Sequence, residues 1–269
     1  MVISYLKIKT PILILASTLF LISGTSLFAS AHEKLLIARA SELPMGNSSI
    51  PENCSHAIIS SPNTEEGKYV KSKSWEVTSE VRLDKLTFIS FVGGMDWMTS
   101  YRCEPTESNI AVFKNKGLTN IVYTSEDDDH FIGALNSLEN GIIKVLFSDS
   151  RTPIAEIKVE NELFTLQAVS SSHSYCNGTE VVPNIYNKPV REARNLLLAS
   201  GWQPREHFDE PMYGARDLRK AGIIEAQFCY GTGLAACELN YDKDDNRLNV
   251  FTVGEYDQTV EYYELPSCF

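Results

Sequence analysis

The sequence has little positive charge. Its 24 Lys and Arg residues stand against 35 Asp and Glu residues, which gives a formal net charge of −11 at pH 7. Sequence-independent binding to nucleic acid or to anionic lipid depends on Lys and Arg residues that neutralise phosphate. We therefore expect no nucleic-acid partner. The hydrophobic share of 43% is that of a globular protein with enough apolar residues for one or two cores.

Catalytic motifs are missing as well. The chain has no Gly-x-Ser-x-Gly nucleophile elbow, no His-Glu-x-x-His, and no Ser-x-x-Lys with the companion motifs of penicillin-recognising enzymes. The histidines are scattered singly, at His32, His56, His130, His173 and His207. These absences predict a protein that is not an enzyme. A hydrolase stays open as an alternative, because distant residues can assemble a catalytic group and 35 acidic residues offer many carboxylate pairs.

Metal-ligand spacings are absent too, since the sequence contains no Cys-x-x-Cys and no His-x-His. Asp242, Asp244 and Asn246 have the spacing of a calcium loop, but Arg247 occupies the position that needs glycine. We expect neither a metal site nor a cofactor.

Long apolar runs are confined to the N-terminus. Lys7 and Lys9 precede an apolar run over residues 11–22, and Ala29-Ser30-Ala31 supplies the small residues of a cleavage site. A retained membrane anchor is the weaker alternative, because the run is shorter than the roughly 20 apolar residues that a span requires. We predict a signal peptide over residues 1–31, cleavage near Ala31, and a periplasmic or secreted protein without a stable membrane anchor. Removal of the two lysines would change the net charge from −11 to −13.

The six cysteines fit this export. In an oxidising compartment an even number of cysteines is most simply read as three disulfides. Cys229 and Cys237 are equidistant from Gly233, so a hairpin centred on that glycine predicts a cross-strand bridge between them. The sequence by itself allows other connectivities for the rest. We pair them as Cys54 with Cys103 and Cys176 with Cys268.

Short β-type runs separated by polar turns predict an all-β sandwich or barrel-like domain over residues 68–170. The segment 32–67 before it is predicted to be extended. The run over 86–92 is apolar without alternation, which indicates a strand buried on both faces. The predicted strands are 74–82, 86–92, 109–114, 119–124, 130–135, 141–147, 153–159 and 162–169.

The hydrophobic period changes after a predicted linker over residues 171–180. Asn187 is placed to cap a helix that ends at Gly201, and a second helix is predicted over about 213–221. Residues 181–269 are therefore predicted to form a smaller α+β domain, with helices packed on an antiparallel sheet. Its strands are expected at about 223–230, 235–241, 247–253 and 259–264. The predicted fold class is mixed.

Residues 182–202 resemble the start of a PASTA module, the small extracytoplasmic repeat of penicillin-binding proteins and bacterial receptor kinases. The resemblance is carried by Val182-Pro183-Asn184-Ile185, Pro189-Val190, Glu192-Ala193, Leu197 and Gly201. It implies a non-catalytic binding unit that faces the cell wall.

These observations predict an exported, non-catalytic envelope protein that binds a macromolecular partner. Because opposite surface fields accelerate and orient encounter, an acidic protein would suit an inhibitor or immunity protein against a basic hydrolase or toxin. The alternatives are a peptidoglycan or glycan binder and an unrecognised hydrolase. Titratable residues clustered in a concave pocket would favour the hydrolase.

Aromatic anchors with a charged rim suit a protein interface, and they give the candidate contact residues. For Trp202 the alternative is packing of the helix end against the sheet, and Trp97 has a similar packed alternative. The predicted partner-binding residues are Trp97, Trp202, Tyr213, Glu255 and Asp257.

Overall fold

The computed structural model describes residues 35–55, 57, 59–98, 103–124, 132–148, 151–208, 210, 214–231, 234–254 and 257–266. The predicted signal peptide, residues 1–31, lies outside this part of the chain. The protein is mostly β, with 50% of the described residues in strands and 14% in helices. No helix in the described part is long and apolar enough to cross a membrane.

The N-terminal region, residues 35–170, is built from strands of four to eight residues and one short α-helix in its described part. The helix is α1 (Glu65–Ser72). The strands are β1 (Leu35–Arg39), β2 (Glu76–Leu83), β3 (Leu86–Val92), β4 (Gly94–Trp97), β5 (Cys103–Thr106), β6 (Asn109–Lys114), β7 (Gly117–Thr124), β8 (Ile132–Ser137), β9 (Ile142–Phe147), β10 (Pro153–Glu160) and β11 (Leu163–Gln167).

These strands form antiparallel sheets. A five-stranded sheet has the order β1-β7-β6-β3-β2, a four-stranded sheet has the order β11-β10-β9-β8, and β4 pairs with β5. Apolar side chains from the five-stranded and four-stranded sheets share one core. Its fully buried members include Phe88, Ile110, Val122, Ile143 and Ile157.

Strand β3 is buried on both faces, which confirms the prediction made from its continuous apolar run. Phe88 belongs to the core shared with the four-stranded sheet. Ile89 and Phe91 belong to a second core on the other face, where Val70 of α1 and Trp75 cover the sheet.

Helix α1 was not expected from the sequence, which predicts an extended segment over 32–67. Thr64 caps the helix through a hydrogen bond that its Oγ1 accepts from the backbone N–H of Gly67 at 2.9 Å. The Thr64 hydroxyl also donates to Glu80 at 2.7 Å, which attaches the start of the helix to β2. The helix has only eight residues and its apolar stripe is short, so its hydrophobic period is weak in the sequence.

The C-terminal region, residues 172–266, adds two sheets. Its strands are β12 (Ser172–Tyr175), β13 (Glu180–Pro183), β14 (Gln203–Pro204), β15 (Ala226–Cys229), β16 (Cys237–Lys243), β17 (Asn246–Val253) and β18 (Thr259–Glu264), and its helices are α2 (Val190–Ala199) and α3 (Ala215–Lys220). Strands β12 and β13 form a ribbon, so the predicted linker 171–180 contains a paired strand. The other five strands form one sheet, with the order β14-β16-β17-β18 and β15 paired to β16.

The predicted mixed fold class, a sandwich or barrel followed by an α+β domain, is wrong. The chain is a mostly β protein of several small sheets, and residues 181–269 do not form a defined domain of helices packed on a sheet. Helices α2 and α3 have ten and six residues, and they are too short to form a layer of their own. The hydrophobic core of the C-terminal region has 18 buried residues. The two helices supply four of them, namely Val190, Ala193, Leu197 and Ala215.

Two predicted disulfides are confirmed. Cys54 is bonded to Cys103, and Cys229 is bonded to Cys237 across the β15–β16 hairpin. Cys176 is also disulfide-bonded, and its predicted partner Cys268 lies outside the described residues. The disulfides fit an extracellular or periplasmic protein, because such bonds persist in oxidising compartments.

Candidate ligand-binding cavity

A cavity of about 350 Å³ lies where the four-stranded sheet of the N-terminal region meets the C-terminal region. This volume is at the lower end of the range for small-molecule sites, about 300 to 1,000 Å³. One wall comes from β8, β9 and the turn between them, and the other from β12 and β18 with the segments beside them. The lining residues are Asn136, Ser137, Leu138, Glu139, Lys144, Leu146, Arg151, Tyr175, Cys176, Tyr186, Tyr262, Tyr263, Glu264 and Leu265.

Lys144 is the buried cation of this wall. It lies in the middle of the apolar strand β9, opposite Glu156 of β10, and is only 3% exposed. Its ammonium group donates a hydrogen bond to Tyr186 Oη at 2.7 Å and another to Tyr175 Oη at 3.2 Å. The tyrosines of the C-terminal region therefore hold a lysine of the N-terminal region.

Three aromatic rings surround the ammonium group. Lys144 Nζ lies 5.7 Å from the ring centroid of Tyr175, 5.1 Å from that of Tyr186 and 5.3 Å from that of Tyr263. A cation within about 6 Å of an aromatic centroid is attracted by the negative face of the ring. Tyr186 and Tyr263 also stack on each other, with centroids 4.4 Å apart. The rings partly replace the water that the buried ammonium group has lost.

Burial determines the protonation states of Lys144 and of the three tyrosines around it. It lowers the pKa of Lys144 to about 8, while the negative charge of Glu156 acts in the opposite direction. Burial also raises the pKa of Tyr175, Tyr186 and Tyr263 above the ordinary value. At neutral pH the lysine is thus mostly protonated and the three phenols are neutral.

A second buried group, the pair of Glu156 and His173, contacts the hydroxyl of Tyr263. Since a carboxylate only accepts hydrogen bonds, His173 donates through Nε2 to Glu156 Oε1. The other ring nitrogen, Nδ1, shares a hydrogen bond with the hydroxyl of Tyr263 at 3.2 Å. This chain of hydrogen bonds fixes the position of the Tyr263 hydroxyl beside the cavity.

Glu156 is ionised in this position. Burial alone would raise its pKa, but hydrogen bonds from His173, Ser170 and Gln167 outweigh burial and lower the pKa to about 2. The Ser170 hydroxyl donates at 2.6 Å and its backbone N–H at 3.1 Å, while Gln167 Nε2 donates at 3.0 Å. The carboxylate is therefore satisfied by donors on β11, β12 and the segment between them.

The rim of the cavity holds three more charged side chains. Arg151 Nη1 lies 3.0 Å from Glu264 Oε2, and the guanidinium group stacks 4.8 Å from the ring centroid of Tyr262. Glu139, in the turn between β8 and β9, differs from this pair. Its Oε2 atom is buried and has no hydrogen-bond partner among the described residues.

The predicted contact residues that the structure describes, Trp97, Trp202 and Asp257, do not line the cavity. Trp202 is fully buried and donates from Nε1 to Val181 O at 3.3 Å, which favours the packing alternative raised for it. Trp97, at the end of β4, is 39% exposed, and Asp257 is exposed before β18. Tyr213 and Glu255 lie outside the described residues.

The residues that line the cavity were not predicted from the sequence. One local signal exists, because Lys144 interrupts the apolar run Ile142–Phe147 and a charged residue there demands a partner. The tyrosines give no such signal, because Tyr175, Tyr186 and Tyr263 are spread over nearly 90 residues.

In the described part of the chain, no group of three or more His, Cys, Asp or Glu residues could hold a metal ion. The cavity instead offers one ammonium group, one guanidinium group, several phenols, two carboxylates and apolar side chains. Such a set of groups is suited to holding a small polar ligand by hydrogen bonds and charge.

The fold and the cavity define a mostly β, disulfide-linked protein with a tyrosine-lined cavity around a buried lysine. Comparison with known protein families, curated proteins and solved structures gave no match. The resemblance of residues 182–202 to a PASTA module therefore stays a prediction.

Proposed function

We propose that the protein is an exported, non-catalytic binding protein and that the cavity around Lys144 is its recognition site. The observation that carries this proposal is a buried ammonium group on the wall of a cavity between two regions of the chain. Burying a charge is costly unless it is well solvated by protein groups or by a ligand. A cavity of this size accepts a small molecule or one protruding group of a larger partner.

The contacts of Lys144 support binding more than catalysis. Tyr175 and Tyr186 hold its ammonium group, and both phenols stay neutral because burial raises the pKa of each. Groups held in this way are preorganised to recognise a ligand, which lowers the entropic cost of binding. A nucleophile next to a general base would support chemistry instead.

A cavity-blocking variant tests the proposal. Ser137 is exposed and lines the cavity, so Ser137→Trp would fill its entrance without entering the core, and Ser137→Ala is the matched control. Equilibrium dialysis against a metabolite extract, read by mass spectrometry, is expected to show a compound retained by the wild type and by Ser137→Ala. Retention by Ser137→Trp at the same level, or no retained compound, would overturn the proposal.

Binding of a basic protein is a second candidate function, and the surplus of 35 acidic over 24 basic residues favours it. An inhibitor or immunity protein of this kind would bind a cationic hydrolase or toxin more weakly as salt screens the opposite charges. Pull-downs at low and high ionic strength test it. The cell-wall alternative, which depends on the PASTA resemblance, is tested by cosedimentation with purified peptidoglycan.

The hydrolase alternative is favoured by the clustering of titratable groups beside the cavity, since burial lowers the pKa of Lys144 to about 8. A neutral fraction of this amine could act as a general base. Hydrolysis of p-nitrophenyl acetate at pH 8 would support this alternative if Lys144→Arg lowers the rate at least tenfold, because arginine stays protonated. A rate that the substitution leaves unchanged would argue against it.

A further inference from the structure

Two charged groups that line the cavity, one positive and one negative, form no ion pair in the described part of the chain, although the charge of Glu156 acts on the positive one from the neighbouring strand. Arg151 and Glu264 pair with each other at 3.0 Å, so their charges largely cancel. Lys144 and Glu139 remain. A ligand that neutralises both of them must itself carry a negative and a positive group.

Lys144 has capacity for a further acceptor. An ammonium group has three N–H donors, and the described acceptors are the hydroxyl oxygens of Tyr175 and Tyr186. Both acceptors are neutral. A carboxylate is the acceptor that an ammonium group binds most strongly, because the hydrogen bond is then assisted by both charges.

The carboxylate of Glu139, in contrast, has an oxygen atom that lacks a hydrogen-bond donor in the described part of the chain. Its Oε2 atom is buried at the cavity wall and accepts no hydrogen bond in the described structure. Glu139 lies in a turn, and rotation of its side chain would bring the carboxylate to a ligand donor, which would recover the free energy that the unsatisfied oxygen costs. An ammonium group on the ligand supplies such donors together with the opposite charge.

The cavity wall also has an apolar and aromatic part. Leu138, Leu146 and Leu265 line the cavity beside the stacked rings of Tyr186 and Tyr263. These side chains would bury an apolar part of the ligand, and the volume of about 350 Å³ limits the ligand to a small molecule.

We propose that the ligand is a small zwitterion of the amino-acid class, whose carboxylate binds Lys144 and whose ammonium group binds Glu139. This inference rests on the proposed function, because it names the ligand class of the same cavity. It also explains why a lysine and a glutamate line one small cavity without an ion pair between them.

Matched probes test the two charges separately. L-Leucine carries both groups, 4-methylpentanoate lacks the amine, and 3-methylbutylamine lacks the carboxylate; L-phenylalanine, 3-phenylpropanoate and 2-phenylethylamine form a second set. Calorimetric titration of the full chain with its disulfides intact is expected to show that at least one amino acid binds. Both of its singly charged analogues should bind at least tenfold more weakly.

Variants assign each charge to its residue. Glu139→Gln is expected to weaken amino-acid binding at least tenfold while leaving the carboxylate analogue unchanged. Lys144→Met should weaken amino-acid binding by a similar factor while leaving the amine analogue unchanged. Glu160→Gln and Lys158→Met, on the partly exposed ion pair at the end of β10, are matched controls that should bind like the wild type.

The outcomes separate this inference from the proposed function. No binding of either amino acid, or equal binding of an amino acid and one of its analogues, would overturn the zwitterion inference. The proposed function would survive if dialysis still showed a compound retained by the wild type and lost by Ser137→Trp. Loss of fold in Lys144→Met, seen by circular dichroism, would leave Glu139→Gln to decide, because Glu139 lies in a turn.

Discussion

The Nζ atom of Lys144 lies 2.7 Å from the Oη atom of Tyr186, a residue 42 positions further along the chain. Lys144 belongs to the four-stranded sheet of the N-terminal region, and Tyr186 precedes α2 in the C-terminal region. The contact between Thr152 Oγ1 and Glu261 O, at 2.7 Å, joins the same two regions. The cavity therefore exists only when both regions have packed together.

Replacing Lys144 with methionine should change how stability depends on pH. Burial lowers the pKa of Lys144 from 10.5 to about 8, so the unfolded chain binds more protons between these values. The stability of the wild type should therefore rise with pH from 8 to 10.5, by about 3 kcal/mol relative to Lys144→Met. Urea denaturation at several pH values measures this difference. Lys158→Met is the control, and a Lys144→Met difference as flat as the control would contradict the prediction.

Glu156 should make the protein sensitive to acid. Its pKa is lowered from 4.5 to about 2, so its contribution is fully present above pH 4.5 and is lost as the pH falls towards 2. The expected loss is about 3 kcal/mol, and Glu156→Gln should lack it. Denaturation between pH 5 and pH 2 tests this. Glu160→Gln, on the same strand, should behave like the wild type, and an equal acid response in Glu156→Gln would refute the assignment.

The two described disulfides should differ in their contribution to stability. The Cys54–Cys103 bond spans 49 positions and the Cys229–Cys237 bond spans 8. Loop-closure entropy predicts losses of about 4 and about 2.5 kcal/mol when each pair is replaced by serine. Thermal unfolding of the two double-serine variants measures both values. A larger loss for the shorter loop would show that native-state packing outweighs chain entropy here.

Trp202 should act as a core residue. It is fully buried within the core of the C-terminal region, so Trp202→Ala is expected to lower the free energy of unfolding by about 3 to 5 kcal/mol. Trp97→Ala is the comparison, because Trp97 is 39% exposed and should cost about 1 kcal/mol. Guanidinium denaturation distinguishes the two. Equal small losses would show that the Trp202 ring is not packed as described.

Several features were predictable because they are local in the sequence. The spacing of Cys229 and Cys237 around a central glycine predicted their bridge. The apolar run over 86–92 predicted a strand buried on both faces. The disulfide joins two residues that are close together in the chain, and the burial of the strand follows from its own apolar side chains.

Helix α1 and the fold class were not predictable in the same way. Eight residues give too few turns for a clear hydrophobic period, and the position of α1 depends on the bond from Thr64 to Glu80. The pattern of α2 is helical, but periodicity does not reveal that strands supply most of the buried residues around it.

The sequence by itself determined the acidic charge, the pairing of Cys229 with Cys237 and the mostly short strands, because composition and spacing along the chain control these properties. Only the tertiary structure decided where the cavity lies. It brings Lys144 together with Tyr175, Tyr186 and Tyr263, and among the described residues it leaves the Oε2 atom of Glu139 without a hydrogen-bond partner. The physical reason is that desolvation and charge pairing depend on distances in space, and residues of separate sheets acquire those distances only on folding.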